Sequence, residues 1–141
     1  MFTLIVTGSR WSLSVPTQLR VRSTLGLVAY RMCPTGGLLK HGEATGVDSY
    51  ASVYWNRLGP EFAVQGFPYI SSLGRRGGPV RNQQMVDSGA DLCLAYPSAG
   101  SKGTYDCANK AKKAGIPTFI LVNSSDDAEL EHWLVANQRL T

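Results

Sequence analysis

Cysteine is scarce in this chain and charge is thin. Only three cysteines occur, Cys33, Cys93 and Cys107. Their number is odd and no two lie close together. That excludes a disulfide framework and the paired spacing of a structural zinc site. No metal and no cofactor is expected, and a reduced, cytoplasmic setting is. Charged residues are 17% of the chain, against roughly a quarter in ordinary domains. The formal net charge is +4. This leans towards anionic partners but is low for a nucleic-acid binder, and no long basic stripe occurs. No apolar run reaches the length of a membrane span, so no membrane partner is expected. The opening MFTLIVTGSR reads as a strand rather than a signal peptide. Repeats, low-complexity tracts and linkers are also missing. With 141 residues and 43% hydrophobic content, the chain reads as one domain, 1–141, with a sizeable core.

What is present is a regular alternation. Residues 2–7 (FTLIVT) form an apolar run of the kind buried on both faces in a parallel sheet. Residues 15–33 have helical spacing, with Leu19, Leu27 and Val28 as core candidates. A short strand at 38–41 follows. A helix at 47–58 has Val47, Ala51 and Tyr54 or Trp55 on its inner face. A third strand is expected at 61–65, and 66–78 reads as a mobile, glycine-rich loop. Pro79 opens a helix with Arg81 and Asn82 in its first turn, and Met85 reads as core. The strand at 91–96 leads into the loop 97–103, and Thr104 begins the next helix. A fifth strand at 117–122 and a closing helix at 126–137 complete the pattern. Strands alternating with helices imply an α/β fold. The expected form is a Rossmann-like three-layer domain, with a five-stranded parallel sheet and helices on both faces.

In such a sheet every loop after a strand lies at the carboxyl edge, where open α/β sheets bind ligands. Four segments should therefore converge. The first is Gly8, Ser9 and Arg10, a tight turn with a hydroxyl and a guanidinium. The second runs from His41 to Asp48 and holds Gly42 and Gly46. It matches neither GxGxxG nor a P-loop. In it Asp48 is either a helix cap or an acceptor for a ribose or an amine, and Glu43 is the best-placed general base. The third is Arg81 with Asn82, where a cation at a helix start asks for an anion. The fourth is the loop with Gly100, Lys102, Gly103 and Thr104, whose amides and hydroxyl suit a phosphate. Cys107 lies a turn further on and reads as a buried thiol.

These motifs resemble a known family. VTGSR, HGEATGVDSYA, GPVRNQQMV and ADLCLAYPSAGSKGTYDCANKAKKAGIP follow the order and spacing of the SLOG superfamily. The resemblance is to its YpsA-related, Rossmann-like members and covers roughly residues 3–120. It implies a domain that senses, sequesters or processes a nucleotide-derived signal. The related Lonely Guy phosphoribohydrolases carry RKxxM and PGGxGTxxE. Arg81 and Met85 match the first, Gly103 and Thr104 the second. Cys107 stands where those hydrolases keep their catalytic Glu, and Asp106 lies about 100° away on a helix. Lonely Guy relatives also imply a homodimer or higher homo-oligomer. Another relative, the DNA-processing protein A family, binds single-stranded DNA.

Three functions remain in view. The first is binding of an AMP-, ADP-ribose- or cyclic-nucleotide-like molecule without turnover. The second is N-glycosidic cleavage of a nucleotide, with Glu43, Asp48 or Asp106 at the glycosidic centre. The third is single-strand binding through Arg75, Arg76, Phe67 and Tyr69. The missing Glu favours the first.

Overall fold

The computed structural model describes residues 1–11 and 13–139. Five strands alternate with five α-helices. They are β1 (Phe2–Gly8), α1 (Val15–Met32), β2 (Gly37–His41), α2 (Val47–Asn56), β3 (Phe62–Gly66), α3 (Gly77–Asp87), β4 (Leu92–Tyr96), α4 (Lys102–Lys113), β5 (Thr118–Ile120) and α5 (Ser124–Asn137). All strands are parallel, in the order β3-β2-β1-β4-β5. Both the α/β class and the five-stranded parallel sheet agree with the sequence reading.

Alternation along β1 and β4 builds two cores. Phe2, Leu4 and Val6 of β1 face one side with Leu92, Leu94 and Tyr96 of β4. There they meet Val21, Leu25 and Val28 of α1, Ala51 and Trp55 of α2, and Leu130 and Leu134 of α5. Ile5 and Cys93 face the other side, against Met85, Val86, Cys107 and Ala111 of α3 and α4. This second core is smaller, and polar side chains fill the rest of that face.

Local chemistry sets the helix ends. Ser14 caps α1 by accepting from the Thr17 N–H at 3.2 Å, and Pro16 sits in its first turn, where no N–H is required. Asn123 and Asp126 form a capping box on α5. Three details differ from expectation. Leu19 is 57% exposed, because Val21, Thr24, Leu25 and Val28 make the inner stripe of α1. The 66–78 stretch is not a loop throughout: Ser71–Arg76 forms a 3-10 turn and Gly77 already begins α3. Arg81 is consequently the fifth residue of α3, beyond the first turn, so the helix-start argument does not apply to it.

The order of strands positions the site. From β1 the chain moves outward to β2 and β3, then α3 carries it back across to β4 on the other side of β1. The connections after β1 and β4 therefore diverge to opposite faces, and a crevice opens between their carboxyl ends.

Candidate functional site

A cavity of about 250 Å³ lies at that switch point. Its floor is Thr7 and Gly8 at the end of β1, and Arg10 and Trp11 rise from the following turn. One wall is Gly42, Ala44 and Asp48 from the connection after β2. A second wall is Arg81, Asn82 and Met85 of α3. The last is the start of α4, from Gly100 to Thr104. Four segments distant in sequence meet here, as the parallel topology requires.

Arg81 is the dominant group. It is only 7% exposed. Its Nε donates to Asn82 Oδ1 at 2.9 Å. Its Nη1 donates to the Gly42 carbonyl and, at 3.3 Å, to that of Phe67. Nη2 has no hydrogen-bond partner among the described residues, and no described carboxylate forms an ion pair with the guanidinium. Gly42 is a close approach: a Cβ there would strike the Arg81 guanidinium.

Asn82 joins two elements. Its Nδ2 donates to the Gly103 carbonyl at 3.2 Å and to Asp106 Oδ2 at 3.0 Å. Asp106 also accepts from Lys110 Nζ at 2.7 Å, and Lys110 in turn donates to the Pro79 carbonyl at 2.9 Å. A single amide therefore fixes the guanidinium relative to the first turn of α4. Asn82, expected as a ligand contact, is fully engaged as a brace between helices.

The start of α4 is open. Ser101 stands at its N-cap, but no side chain caps the helix, and no acidic residue lies in the first turn. The Ser101 hydroxyl instead accepts from the Ser98 N–H at 2.9 Å. The Lys102 N–H donates to the Gly100 carbonyl at 2.8 Å, and the Gly103 and Thr104 amides keep the unmatched partial positive charge of a helix start. Lys102, exposed at the same place, adds a full charge.

Asp48 is 4% exposed. Its Oδ2 accepts from the N–H groups of Gly42 at 2.9 Å and Ala44 at 3.4 Å. It thus shapes the loop behind it and does not cap its own helix. Burial pushes its carboxyl up to about 6, against the pull of those amides and of Arg81. His41 has its pKa lowered from the ordinary value, chiefly by burial. Its Nδ1 accepts from the Glu43 N–H at 2.9 Å.

Other sequence candidates lie behind or beside the cavity. Ser9 is 7% exposed, and its hydroxyl accepts from Ser98 Oγ at 2.9 Å. Gly46, at φ 81°, packs against the backbone of residues 9–11. Glu43 is exposed, at φ 57°, and its carboxylate lies over Gly66. It borders a neighbouring depression with Tyr69. Asp106 borders another with Pro79. Cys107 is fully buried. The Cys93 thiol hydrogen-bonds to it, lowering Cys107 and raising Cys93. Cys107 sits in the second core beneath Thr7 of the cavity floor and does not itself line the cavity. No group of three or more acidic, His or Cys side chains suited to a metal occurs among the described residues.

The sequence reading passed over Thr7 and Trp11, which adjoin the flagged Gly8–Arg10 turn, whereas Ala44 and Ser101 lie inside flagged loops without being singled out. It also passed over Lys40. That side chain is 6% exposed and reaches the end of α3, donating to Ser88 Oγ at 2.8 Å and the Gly89 carbonyl at 2.7 Å.

The fold and the switch-point crevice define a Rossmann-like α/β domain. The chain is 37% identical over 94 residues to the Gene 61 protein of Mycobacterium phage D29, an alignment covering 61% of this chain and 72% of that protein. The chain belongs to the same family as that phage protein. No family model matches it. No helix among the described residues is long and apolar enough to cross a membrane.

Proposed function

We propose that this chain is a SLOG-type domain that binds a nucleotide or nucleotide-derived small molecule at the carboxyl edge of its sheet. It acts as a sensor or sequestering protein. One observation carries the reading: Arg81 is buried, is hydrogen-bonded through Nε and Nη1 but not Nη2, and has no carboxylate partner among the described residues. Burying an unpaired charge costs several kcal/mol unless something compensates it. A phosphate does so, and it can bridge Nη2 to the uncapped amides of α4. Arg10 and Lys102 enlarge the positive field, and among the described residues Asp48 is the only carboxylate in the wall. The anion therefore belongs to a molecule with room for a hydroxyl or amine beside Asp48. The test is a thermal-shift series with AMP and ADP-ribose on the wild type and R81Q. The wild type should be stabilised, by about 2.7 kcal/mol at a hundredfold excess over Kd, and R81Q should gain little. Equal stabilisation of both would remove Arg81 from the account.

A second reading, N-glycosidic hydrolysis, draws on Asp48. It is a buried carboxyl with a raised pKa in a crevice, which is a common setting for a general acid or base. Release of free base from AMP by the wild type and not by D48N would establish it. AMP recovered intact after binding would leave the domain as a receptor.

A further inference from the structure

We propose that Trp11 is the stacking platform for an aromatic base, so that the ligand is a base-bearing phosphate rather than a sugar phosphate or an inorganic anion. This rests on the anion-site reading above and extends it to the other end of the ligand. Trp11 is 74% exposed, whereas Trp55 is fully buried. An indole offers a large, rigid apolar face with a polar edge, the kind of surface on which a planar ring stacks. Trp11 lines the cavity together with Arg81 and Lys102.

Its side chain is open but its backbone is not. The Trp11 N–H donates to Ser9 Oγ at 3.3 Å. The adjoining Arg10 carbonyl accepts from Thr45 Oγ1 at 2.7 Å. The Ser9 carbonyl accepts from the Val47 N–H at 3.0 Å. Gly46 packs so closely on the Trp11 and Ser9 carbonyls that any side chain there would collide. The β2–α2 connection thus clamps the turn that carries the indole. A clamped backbone with a free aromatic face gives a platform that loses little entropy on binding. Phosphate at the Arg81 end and a planar ring at the rim are the two ends of one nucleoside phosphate. Stacking on a ring face tolerates any base.

The experiment is calorimetric titration of wild type, W11F and W11A with AMP and with ribose 5-phosphate, which shares the phosphate and sugar but has no base. The wild type should prefer AMP by roughly five- to a hundredfold, the range of one base–aromatic stack. W11F should keep much of that preference. W11A should lose it, with affinity for ribose 5-phosphate unchanged in all three. AMP should also quench tryptophan emission in the wild type and not in W11F. Equal affinity of the wild type for both probes, or an unaltered preference in W11A, overturns the platform while leaving the anion site intact. A change of mass in W11A by light scattering with its AMP preference preserved would make Trp11 a contact between copies and also overturns it. If neither probe binds the wild type, the anion-site reading itself falls and takes this inference with it.

Discussion

At the scale of single residues, Arg81 and Asp48 are opposite charges buried around one loop. They share it through backbone atoms: Asp48 accepts the Gly42 N–H while Arg81 donates to the Gly42 carbonyl. Gly42 is therefore the pivot. A Cβ there meets the guanidinium and displaces it without removing its charge. G42A should weaken AMP binding by at least about tenfold, the scale of one misplaced charge-assisted hydrogen bond. Calorimetry on a variant with wild-type circular dichroism would check it, and unchanged affinity would show that Arg81 does not need its present position. Asp48 yields a pH prediction. Its carboxyl ionises near 3.8 in the unfolded chain and near 6 in the folded one. Between those values the folded state keeps a proton that the unfolded state has lost, so stability falls as pH rises through that window. At pH 7 the cost of the buried charge is on the order of 3 kcal/mol. D48N retains an oxygen for the Gly42 and Ala44 amides and has no proton to lose. Urea denaturation at pH 4 to 7 should show the wild type losing stability relative to D48N as pH rises. Parallel curves would place the Asp48 charge in contact with water.

At the scale of elements, α3 is the part the sequence described least well, and it carries the most important side chain. The pattern of glycines at 74, 77 and 78 looked like a loop. Two of those glycines instead permit close packing: a Cβ at Gly77 would collide with the Ile70 carbonyl, and one at Gly78 would press on the Tyr69 ring. Gly74, at φ 58°, makes the kink inside the 3-10 stretch that leads into α3. Propensity rules penalise glycine in helices and cannot see a tertiary contact that rewards it. At its other end α3 is tied to β2 by Lys40, whose ammonium bonds Ser88 and Gly89. Burial lowers the Lys40 pKa, as expected for a cation satisfied mainly by carbonyls. A lysine inside a strand run read as apolar gave no hint of this, because its partners lie 48 and 49 residues away. K40M should fill the same space and leave the Ser88 and Gly89 carbonyls, just past α3, without this donor. The expected loss is about 1–3 kcal/mol, measured by urea denaturation, with faster amide exchange confined to the end of α3. Unchanged exchange there would mean that the helix end is held by other contacts.

At the scale of the whole molecule, the fold was legible because it depends on periodicity. Two-sided apolar runs and intervening amphipathic stretches imply a parallel sheet whatever the loops contain. The convergence of Gly8, Gly42, Arg81 and Gly103 was legible for the same reason, since topology alone brings those loops to one edge. The division of labour within the site was not. Ser9, Gly46 and Asn82 are of the right types for ligand contact, yet their polar atoms or their space are taken up by neighbouring loops. Asp106, a candidate for the glycosidic centre in the sequence reading, is instead taken up in a link with Asn82 and Lys110. Such assignments depend on distances between segments, which no linear pattern encodes. The central claim is that this edge holds a phosphorylated nucleoside by its charge. The most direct measurement is calorimetric titration of the wild type with AMP, ADP-ribose and unphosphorylated adenosine at low and high salt. The account predicts saturable binding of the phosphorylated compounds, at least tenfold weaker binding of adenosine, and a narrowing of that difference as salt screens exposed Arg10 and Lys102, with the contribution of buried Arg81 persisting. Absence of binding by every phosphorylated nucleoside, or adenosine binding as tightly as AMP, would contradict it.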